Sequence, residues 1–450
     1  MTDPIHSDTV SPARAVAAEV LTRVFAADAF ASAALDAEIY RAGLDGRDAG
    51  LATELVYGVL RTEGFLDERL AELASHRVYA PDPRVRAHLL MAAYSLSFLD
   101  RVPVFAAVSE AVAGVRAAGG PRAGGFANAI LRKLSADLAA KGRPVLADAV
   151  VASAAGWLRG ALRRSLGRSG ASAYLAAGPV PPPIGLCLAR GEDREAWIAT
   201  LSAAVPDATL TAGAVSPRAI LVRGAGDVRR LPGASTAWII QEEGAQVLTL
   251  LAGAHPGDRV LDACAGHGNK TWLLAQEVEP GGAVDASDLH PHKLEQLRRG
   301  PAGARTRATY DTDWTVTAGA VPEGYDLVLV DAPCSGIGTL RRRPEIGRRR
   351  EMEDLARLAG LQVAITRRAA TRVRDGGRLV YAVCSVLREE GEEVVARLLA
   401  GDELGVKLEA VPFPSDFGRA LAGEASALRI LPHVQGTDGY FAASFVVRRG

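Results

Sequence analysis

Two cysteines end strand-like runs 50 residues apart in the chain. Cys334 lies in Asp326-Leu327-Val328-Leu329-Val330-Asp331-Ala332-Pro333-Cys334-Ser335-Gly336-Ile337-Gly338, and Cys384 ends Arg378-Leu379-Val380-Tyr381-Ala382-Val383-Cys384-Ser385. Short apolar runs of this kind are the pattern of strands covered on both faces. In an open α/β sheet, ligands bind just outside the carboxyl ends of the strands. Both thiols therefore fall where chemistry is expected. A thiolate is a nucleophile, and it forms where a cysteine is exposed in an electropositive site or at a helix N-terminus. A lone cysteine is more often buried and inert. Here strand-end position and the acid and proline ahead of Cys334 argue otherwise. Taken by itself, Cys334 on its sharp turn reads as the nucleophile. Of the remaining cysteines, Cys264 is expected to line a ligand loop without reacting and Cys187 to sit in a core. No two of the four cysteines have CxxC spacing, so no metal site is expected.

A second constellation precedes the thiols. Val260-Leu261-Asp262 reads as a strand and runs into Ala263-Cys264-Ala265-Gly266-His267-Gly268-Asn269-Lys270-Thr271. A glycine turn after the first strand of such a sheet lets backbone N–H groups and a helix N-terminus approach a ligand. It matches neither the dinucleotide fingerprint nor a Walker A loop, and a tight packing turn has the same appearance. Asp288 ends the next strand. There it can accept hydrogen bonds from ribose hydroxyls or cap the following helix. Asp311 or Asp313 ends a third strand and either meets the far end of the ligand or lies on a loop surface. Together with the glycine turn, Asp288 argues for a bound nucleoside.

The elements that must position these residues alternate strand and helix from Asp258 to the C-terminus, which predicts a doubly wound, Rossmann-like parallel sheet over 239–450. Residues 8–142 read as an all-α bundle. Ser11-Pro12 has the form of an N-cap and first turn, Val16, Val20, Leu21 and Val24 share one helical face, Pro81 and Pro83 break the chain, and Gly119-Gly120-Pro121 makes a turn. Residues 153–238 read as a small α+β connecting piece. At 450 residues the chain is too long for one ordinary core. Its 48% hydrophobic and 23% charged residues describe a globular protein. Net charge is zero, so any nucleic-acid surface must be local. One local patch stands out: Arg341-Arg342-Arg343-Pro344-Glu345-Ile346-Gly347-Arg348-Arg349-Arg350 holds six arginines beside the Cys334 turn and suits RNA phosphates. Met1–Asp8 lacks a signal-peptide profile, and no apolar run is long enough to span a membrane. A cytoplasmic, reducing setting and a monomer are expected.

The motifs Asp331-Ala332-Pro333-Cys334-Ser335-Gly336-Ile337-Gly338, Arg341-Arg342-Arg343-Pro344-Glu345-Ile346 and Tyr381-Ala382-Val383-Cys384-Ser385-Val386 together resemble the Sun/Fmu (Nop/Sun) family of RNA cytosine-5 methyltransferases. The resemblance is strongest to the bacterial branch that acts on 16S ribosomal RNA. It extends to Leu55–Thr62, Arg101-Val102-Pro103 and Asn128–Arg132, which look like the NusB-like RNA-binding domain of that branch. Arg429–Pro432 and Asp438–Phe441 look like its C-terminal strand motif. The resemblance implies S-adenosylmethionine as cofactor, RNA as partner, and a particular mechanism. A thiolate adds to carbon 6 of cytosine, carbon 5 takes the methyl group, and loss of its proton releases the enzyme. In the family the later cysteine attacks, so the resemblance makes Cys384 the nucleophile. Cys334 assists elimination, and Asp331 holds the base edge. The cofactor contacts carry over to Cys264, Ala265, Gly266, His267, Gly268, Asn269, Lys270, Asp288, Asp311 (with Asp313 as rival) and Asp331. Arg341, Arg342, Arg343 and Arg348 become the RNA contacts.

The sequence departs from the family pattern at several points. Asn269 replaces a glycine, and asparagine tolerates a left-handed backbone. His267 replaces a proline and either lines the pocket or faces solvent. Val383 replaces a threonine, and Arg388 and Gly391 replace a proline and an asparagine. The altered loop leaves open a non-catalytic RNA-binding assembly factor. A DNA cytosine methyltransferase would use Cys334 as nucleophile instead.

Overall fold

The computed structural model describes residues 10–27, 29–74, 82–401 and 404–449. The expected break at Pro81 and residues 8 and 9 of the expected bundle lie outside these. The chain divides into two units, Met1–Pro181 with Leu340–Arg350, and Pro182–Thr339 with Glu351–Gly450.

The first unit is helical: α1 (Pro12–Ala27), α2 (Ala31–Ala42), α3 (Gly46–Leu73), α4 (Pro83–Phe98), α5 (Val104–Lys141), α6 (Leu146–Ser153) and α7 (Gly156–Ala176). The α1 face predicted from spacing is buried. Ser11 stands at the N-cap position as expected, its carbonyl accepting from the N–H of Ala15 at 2.9 Å, and Pro12 opens α1. The Ser11 N–H and hydroxyl both donate to Glu110 Oε2 of α5, at 2.8 and 2.7 Å. Gly120 breaks the helical path of α5 at φ 82°, ψ 178°, and Pro121 follows it, so the expected turn is a kink. At Gly58 a Cβ would meet the Tyr94 ring at 2.1 Å, which is why α3 and α4 need glycine at this contact. Helix α7 belongs to this unit, although its sequence was read as part of the connecting piece.

The arginine segment also belongs to the helical unit. Arg61 donates to the carbonyl of Arg341 at 2.8 Å, and Glu345 accepts from the N–H of Ala31 at 3.2 Å. Arg348 pairs with Glu63 at 3.4 Å and lies over Phe25, and Arg349 lies over Phe30. Pro344, Glu345 and Ile346 are buried. The segment is thus held by its apolar middle and by arginine–aromatic stacking.

The second unit opens with a four-stranded antiparallel sheet, order β2-β3-β1-β4, from β1 (Ile184–Leu188), β2 (Thr209–Ala212), β3 (Ala219–Arg223) and β4 (Trp238–Ile240). Helix α8 (Arg194–Ala204) follows β1 and is capped by Asp193. Helix α9 (Glu243–Leu251) leads to the large sheet of β5 (Arg259–Asp262), β6 (Ala283–Asp288), β7 (Thr306–Asp311), β8 (Tyr325–Asp331), β9 (Val373–Val383), β10 (Val406–Ala410), β11 (Ala427–Ile430) and β12 (Tyr440–Arg449). Its order is β10-β12-β9-β8-β5-β6-β7, with β11 paired to β12. Strands β5 to β9 are parallel, and β10, β11 and β12 join antiparallel. The sheet is therefore doubly wound but mixed, with an antiparallel edge that was not expected. Strand order reverses between β5 and β8, the switch point at which such sheets bind ligands. Helix α10 (Asn269–Glu277) follows β5, and α11 (Pro291–Arg299) follows β6. Cores lie on both sheet faces, one built on Val328, Val330, Tyr381 and Phe441, the other on Val260, Leu329, Val380 and Ala442. No helix among the described residues is long and apolar enough to cross a membrane.

Candidate active site

Four parallel strands end in an aspartate at one edge of the sheet: Asp262 of β5, Asp288 of β6, Asp311 of β7 and Asp331 of β8. The glycine turn lies beside them. Gly266 and Gly268 hold positive φ of 54° and 88°, conformations that favour glycine. Asn269 is not left-handed, contrary to the reason given for its tolerance. It opens α10, and its side chain donates to the Ile240 carbonyl at 3.4 Å. The strained positions of the loop have therefore kept glycine, and the substituted one never needed it. His267 is exposed and lines a cavity of about 200 Å³ with Trp238, Ile240 and Trp272.

Asp288 fills two roles at once. Its Oδ2 accepts from the N–H of Gly266 at 2.9 Å, and its Oδ1 from the N–H of His290 at 2.9 Å. Asp311 stands opposite Asp288 in the β6–β7 register and is exposed. Asp313 is committed to Thr315, whose N–H and hydroxyl it accepts at 2.9 and 2.6 Å.

Lys270, on the first turn of α10, reaches Asp331 at 2.6 Å. Burial alone would lower its ammonium, but Asp331, with Asp262 and Cys384 nearby, raises it overall. Asp262 accepts from Thr271 at 2.8 Å. Burial pushes its carboxyl up to about 6, against the pull of Thr271 and Lys270. Cys264 is pushed well above the usual thiol range by burial and by Asp262, Asp331 and Asp288, a setting that disfavours the thiolate. Cys187 is fully buried in β1.

The tertiary structure brings together the two cysteines that the sequence separates. Their sulfur atoms are 3.2 Å apart, and both are free thiols. The hydrogen bond with Cys384, then burial, push the Cys334 thiol well above its ordinary range. Gly338, downstream of Cys334, donates to the Cys384 carbonyl at 3.0 Å and accepts from Gly439 at 2.8 Å. The tail of one cysteine turn is thereby laced to the other. The arrangement offers two thiols at contact distance, a carboxylate, a half-buried ammonium and a glycine-walled cradle.

Sequence reasoning missed two side-chain groups that pack here. Glu242 accepts from Tyr440 Oη at 2.8 Å and from the N–H of Asp438 at 2.9 Å. Burial raises the Tyr440 phenol well above its usual range, with Glu242, Asp438 and Cys384 adding to it. Glu390 lies buried behind Ser335. Tyr440 stands in a motif read only as a strand, and Glu390 lies between two positions, Arg388 and Gly391, noted only as departures from the family pattern.

Fold and site define a Rossmann-like methyltransferase that uses S-adenosylmethionine. The family described as 16S rRNA methyltransferase RsmB/F matches residues 248–446, and the NusB family matches residues 11–136. The chain is 33% identical to the ribosomal RNA small subunit methyltransferase B of Pseudomonas putida, covering 96% of this chain and 98% of that protein. It is 32% identical to the putative methyltransferase Rv1407 of Mycobacterium tuberculosis, over 97% of this chain and 96% of that one. The crystal structure of PH0851 aligns with a TM-score of 0.77 at 21% identity, covering 98% of this chain and 99% of that chain. NSun6 from Pyrococcus horikoshii with SFG aligns at 0.53 and 17%, covering 65% and 98%. These two structures speak to the fold. The chain belongs to the RsmB/F family of S-adenosylmethionine-dependent 16S ribosomal RNA methyltransferases.

The residues present fit that cofactor. Asp262 Oδ1 is buried without a hydrogen-bond partner, an acceptor suited to the cofactor's ammonium group. Lys270 suits its carboxylate, and Asp288 and Asp311 its ribose hydroxyls.

Proposed function

We propose that this protein transfers a methyl group to carbon 5 of a cytosine in 16S ribosomal RNA, through a covalent adduct of Cys384 at carbon 6. The observation that carries this reading is the 3.2 Å separation of the Cys334 and Cys384 sulfurs beside Asp331. Carbon 5 of cytosine is a poor nucleophile until a thiolate adds at carbon 6. S-adenosylmethionine, when bound, supplies the electrophilic methyl group. The Cys334 sulfur lies within hydrogen-bond distance of the Cys384 sulfur, which places it to act on the adduct that Cys384 forms. Asp331 accepts from the amino edge of the base. In the last step water takes the carbon 5 proton, the carbon–hydrogen electron pair restores the carbon 5–carbon 6 double bond, and the carbon 6–sulfur bond breaks with its pair on sulfur, returning Cys384 as a thiolate, with Cys334 beside it to assist. Lys270 holds the Asp331 carboxylate and lends positive charge to the cradle.

The helical region is read as the NusB-like RNA-binding domain of 8–142. Arg342, Arg343 and Arg348 are assigned to RNA phosphates. Arg341 is buried and contributes through its backbone. The reading assigns the protein to the cytoplasm, where both thiols stay reduced. A non-catalytic assembly factor is less well supported, because the cofactor loop keeps glycine at both left-handed positions. The deciding experiment is bisulfite mapping of 16S ribosomal RNA from a strain lacking the gene. One cytosine should lose protection from conversion. An unchanged map sinks the reading.

A further inference from the structure

The sequence around Cys334 contains no obvious means of holding its side chain still. The turn is short, it contains glycine, and its thiol must act at one step of a multistep reaction. A buried carboxylate solves this problem. Glu390 is 0% exposed, and its Oε1 accepts from the N–H of Ser335 at 2.7 Å and from Gln362 Nε2 at 3.0 Å. Its Oε2 accepts from the Ser335 hydroxyl. Gln362 Nε2 also donates to the carbonyl of Pro333 at 3.1 Å. The Pro333 carbonyl and the Ser335 N–H belong to the two peptide groups on either side of Cys334. Both are pinned by one Glu390–Gln362 pair, which fixes the direction in which the Cys334 side chain leaves the backbone. Tyr381 completes the frame, its hydroxyl 3.0 Å from Gln362 Oε1 and 2.6 Å from the Glu390 carbonyl.

Cys384 is held differently. It follows β9, whose last residue, Val383, sits in register with Phe441 of β12, and its carbonyl accepts from Gly338. The frame around Glu390 therefore acts on one thiol more than on the other. An isolated carboxylate in this apolar setting would be costly. Three donors satisfy it here, and the group has a use that an apolar residue of the same size lacks.

We propose that Glu390 is a positioning residue which, with Gln362, orients Cys334 for release of the methylated base from Cys384. This rests on the cysteine roles given above. Removing the carboxylate should leave adduct formation by Cys384 intact and slow its breakdown. A misplacement of about 1 Å slows a step by roughly 100-fold, so the covalent complex should accumulate. A residue that merely stabilised the fold would lower formation and breakdown together. Gln at this position keeps an acceptor for Ser335 and Gln362 and an amide toward the Ser335 hydroxyl, and should behave as Glu.

The test uses the full-length protein, S-adenosylmethionine and unmodified 16S ribosomal RNA transcribed in vitro, with the adduct read on denaturing gels. Cys334→Ala, Glu390→Ala, Glu390→Gln and Gln362→Leu are compared with wild type. Cys334→Ala and Glu390→Ala should both accumulate adduct, roughly 10- to 100-fold above wild type, and Glu390→Gln should not. Gln362→Leu, which leaves the carboxylate in place, should accumulate it as well and covers the case in which Glu390→Ala does not fold. The inference is overturned if Cys334→Ala traps RNA while folded Glu390→Ala and Gln362→Leu do not. If Cys334→Ala traps nothing, the cysteine roles fall, and this inference falls with them.

Discussion

The sulfur atoms of Cys334 and Cys384 lie 3.2 Å apart, just beyond the ends of the adjacent parallel strands β8 and β9. Each cysteine is followed by a buried serine, and the Ser335 and Ser385 hydroxyls lie 3.4 Å from one another. Two similar turns thus meet at one point. Their surroundings differ, and the roles proposed for them differ accordingly.

The first prediction concerns that division of labour. Cys384→Ala should lower methyl transfer by about 10³-fold or more and abolish the covalent RNA complex. Cys334→Ala should trap it. If Cys334→Ala alone prevents the complex, the assignment is reversed and the chemistry follows the DNA-enzyme pattern.

A second prediction follows from Lys270 and Asp331. Lys270→Met removes the partner of a half-buried carboxylate. The loss of a charged hydrogen bond, about 1.5–3 kcal/mol, corresponds to roughly 10- to 100-fold in affinity. Calorimetry should record S-adenosylmethionine binding weakened by that amount. Wild-type affinity would exclude Lys270 from the cofactor site.

Asp262 makes stability depend on pH. Its folded pKa is raised to about 6 from an unfolded value of about 3.9. The folded state therefore binds the proton more tightly. The stability contributed by this group is fully present below about pH 4 and is lost as pH rises through about 6. Asp262→Asn should flatten this part of the profile and make the ligand-free protein more stable at pH 7, by on the order of 2–3 kcal/mol. Urea unfolding at pH 5 and pH 7 measures the difference. The same pH dependence in both proteins would refute it.

Gly338 offers a steric test. A Cβ there would meet the Gly439 carbonyl oxygen at 1.9 Å and the Cys384 carbonyl oxygen at 2.9 Å. Both are backbone atoms and cannot swing aside. Gly338→Ala should cost about 1–3 kcal/mol and disturb the Cys384 turn. A thermal melt and a methylation assay should fall together, and a variant with wild-type melting and activity would show the turn to be slack.

The arginine segment can be tested through salt. Arg343 is exposed, and Arg343→Ala should weaken binding to 16S ribosomal RNA and lower the slope of log affinity against log salt by about 0.7–0.9. An unchanged slope would remove Arg343 from the interface. Arg348 is a poorer probe, because it also pairs with Glu63 and covers Phe25.

Much of this protein was legible in its residues. Apolar runs ending in Asp262, Asp288 and Asp331 announced parallel strands, since period and composition report which faces are buried. The glycine turn and the two cysteine motifs carried the family and the cofactor. What the residues could not decide depends on contacts distant in sequence. The helix after Cys384 begins only at Glu392, and Glu390 ahead of it turns inward to accept from Ser335. The arginine segment packs on the helical unit by stacking on Phe25 and Phe30, more than 300 residues away in the chain. Asn269 proved neutral to the loop because backbone conformation there, set by the junction with α10, places the left-handed residues at 266 and 268. Only the tertiary structure decided that two thiols 50 residues apart share one point and that a single buried carboxylate accepts from the serine that follows one of them. Local patterns specify elements, whereas a hydrogen bond between turns exists only once the sheet has brought their ends together.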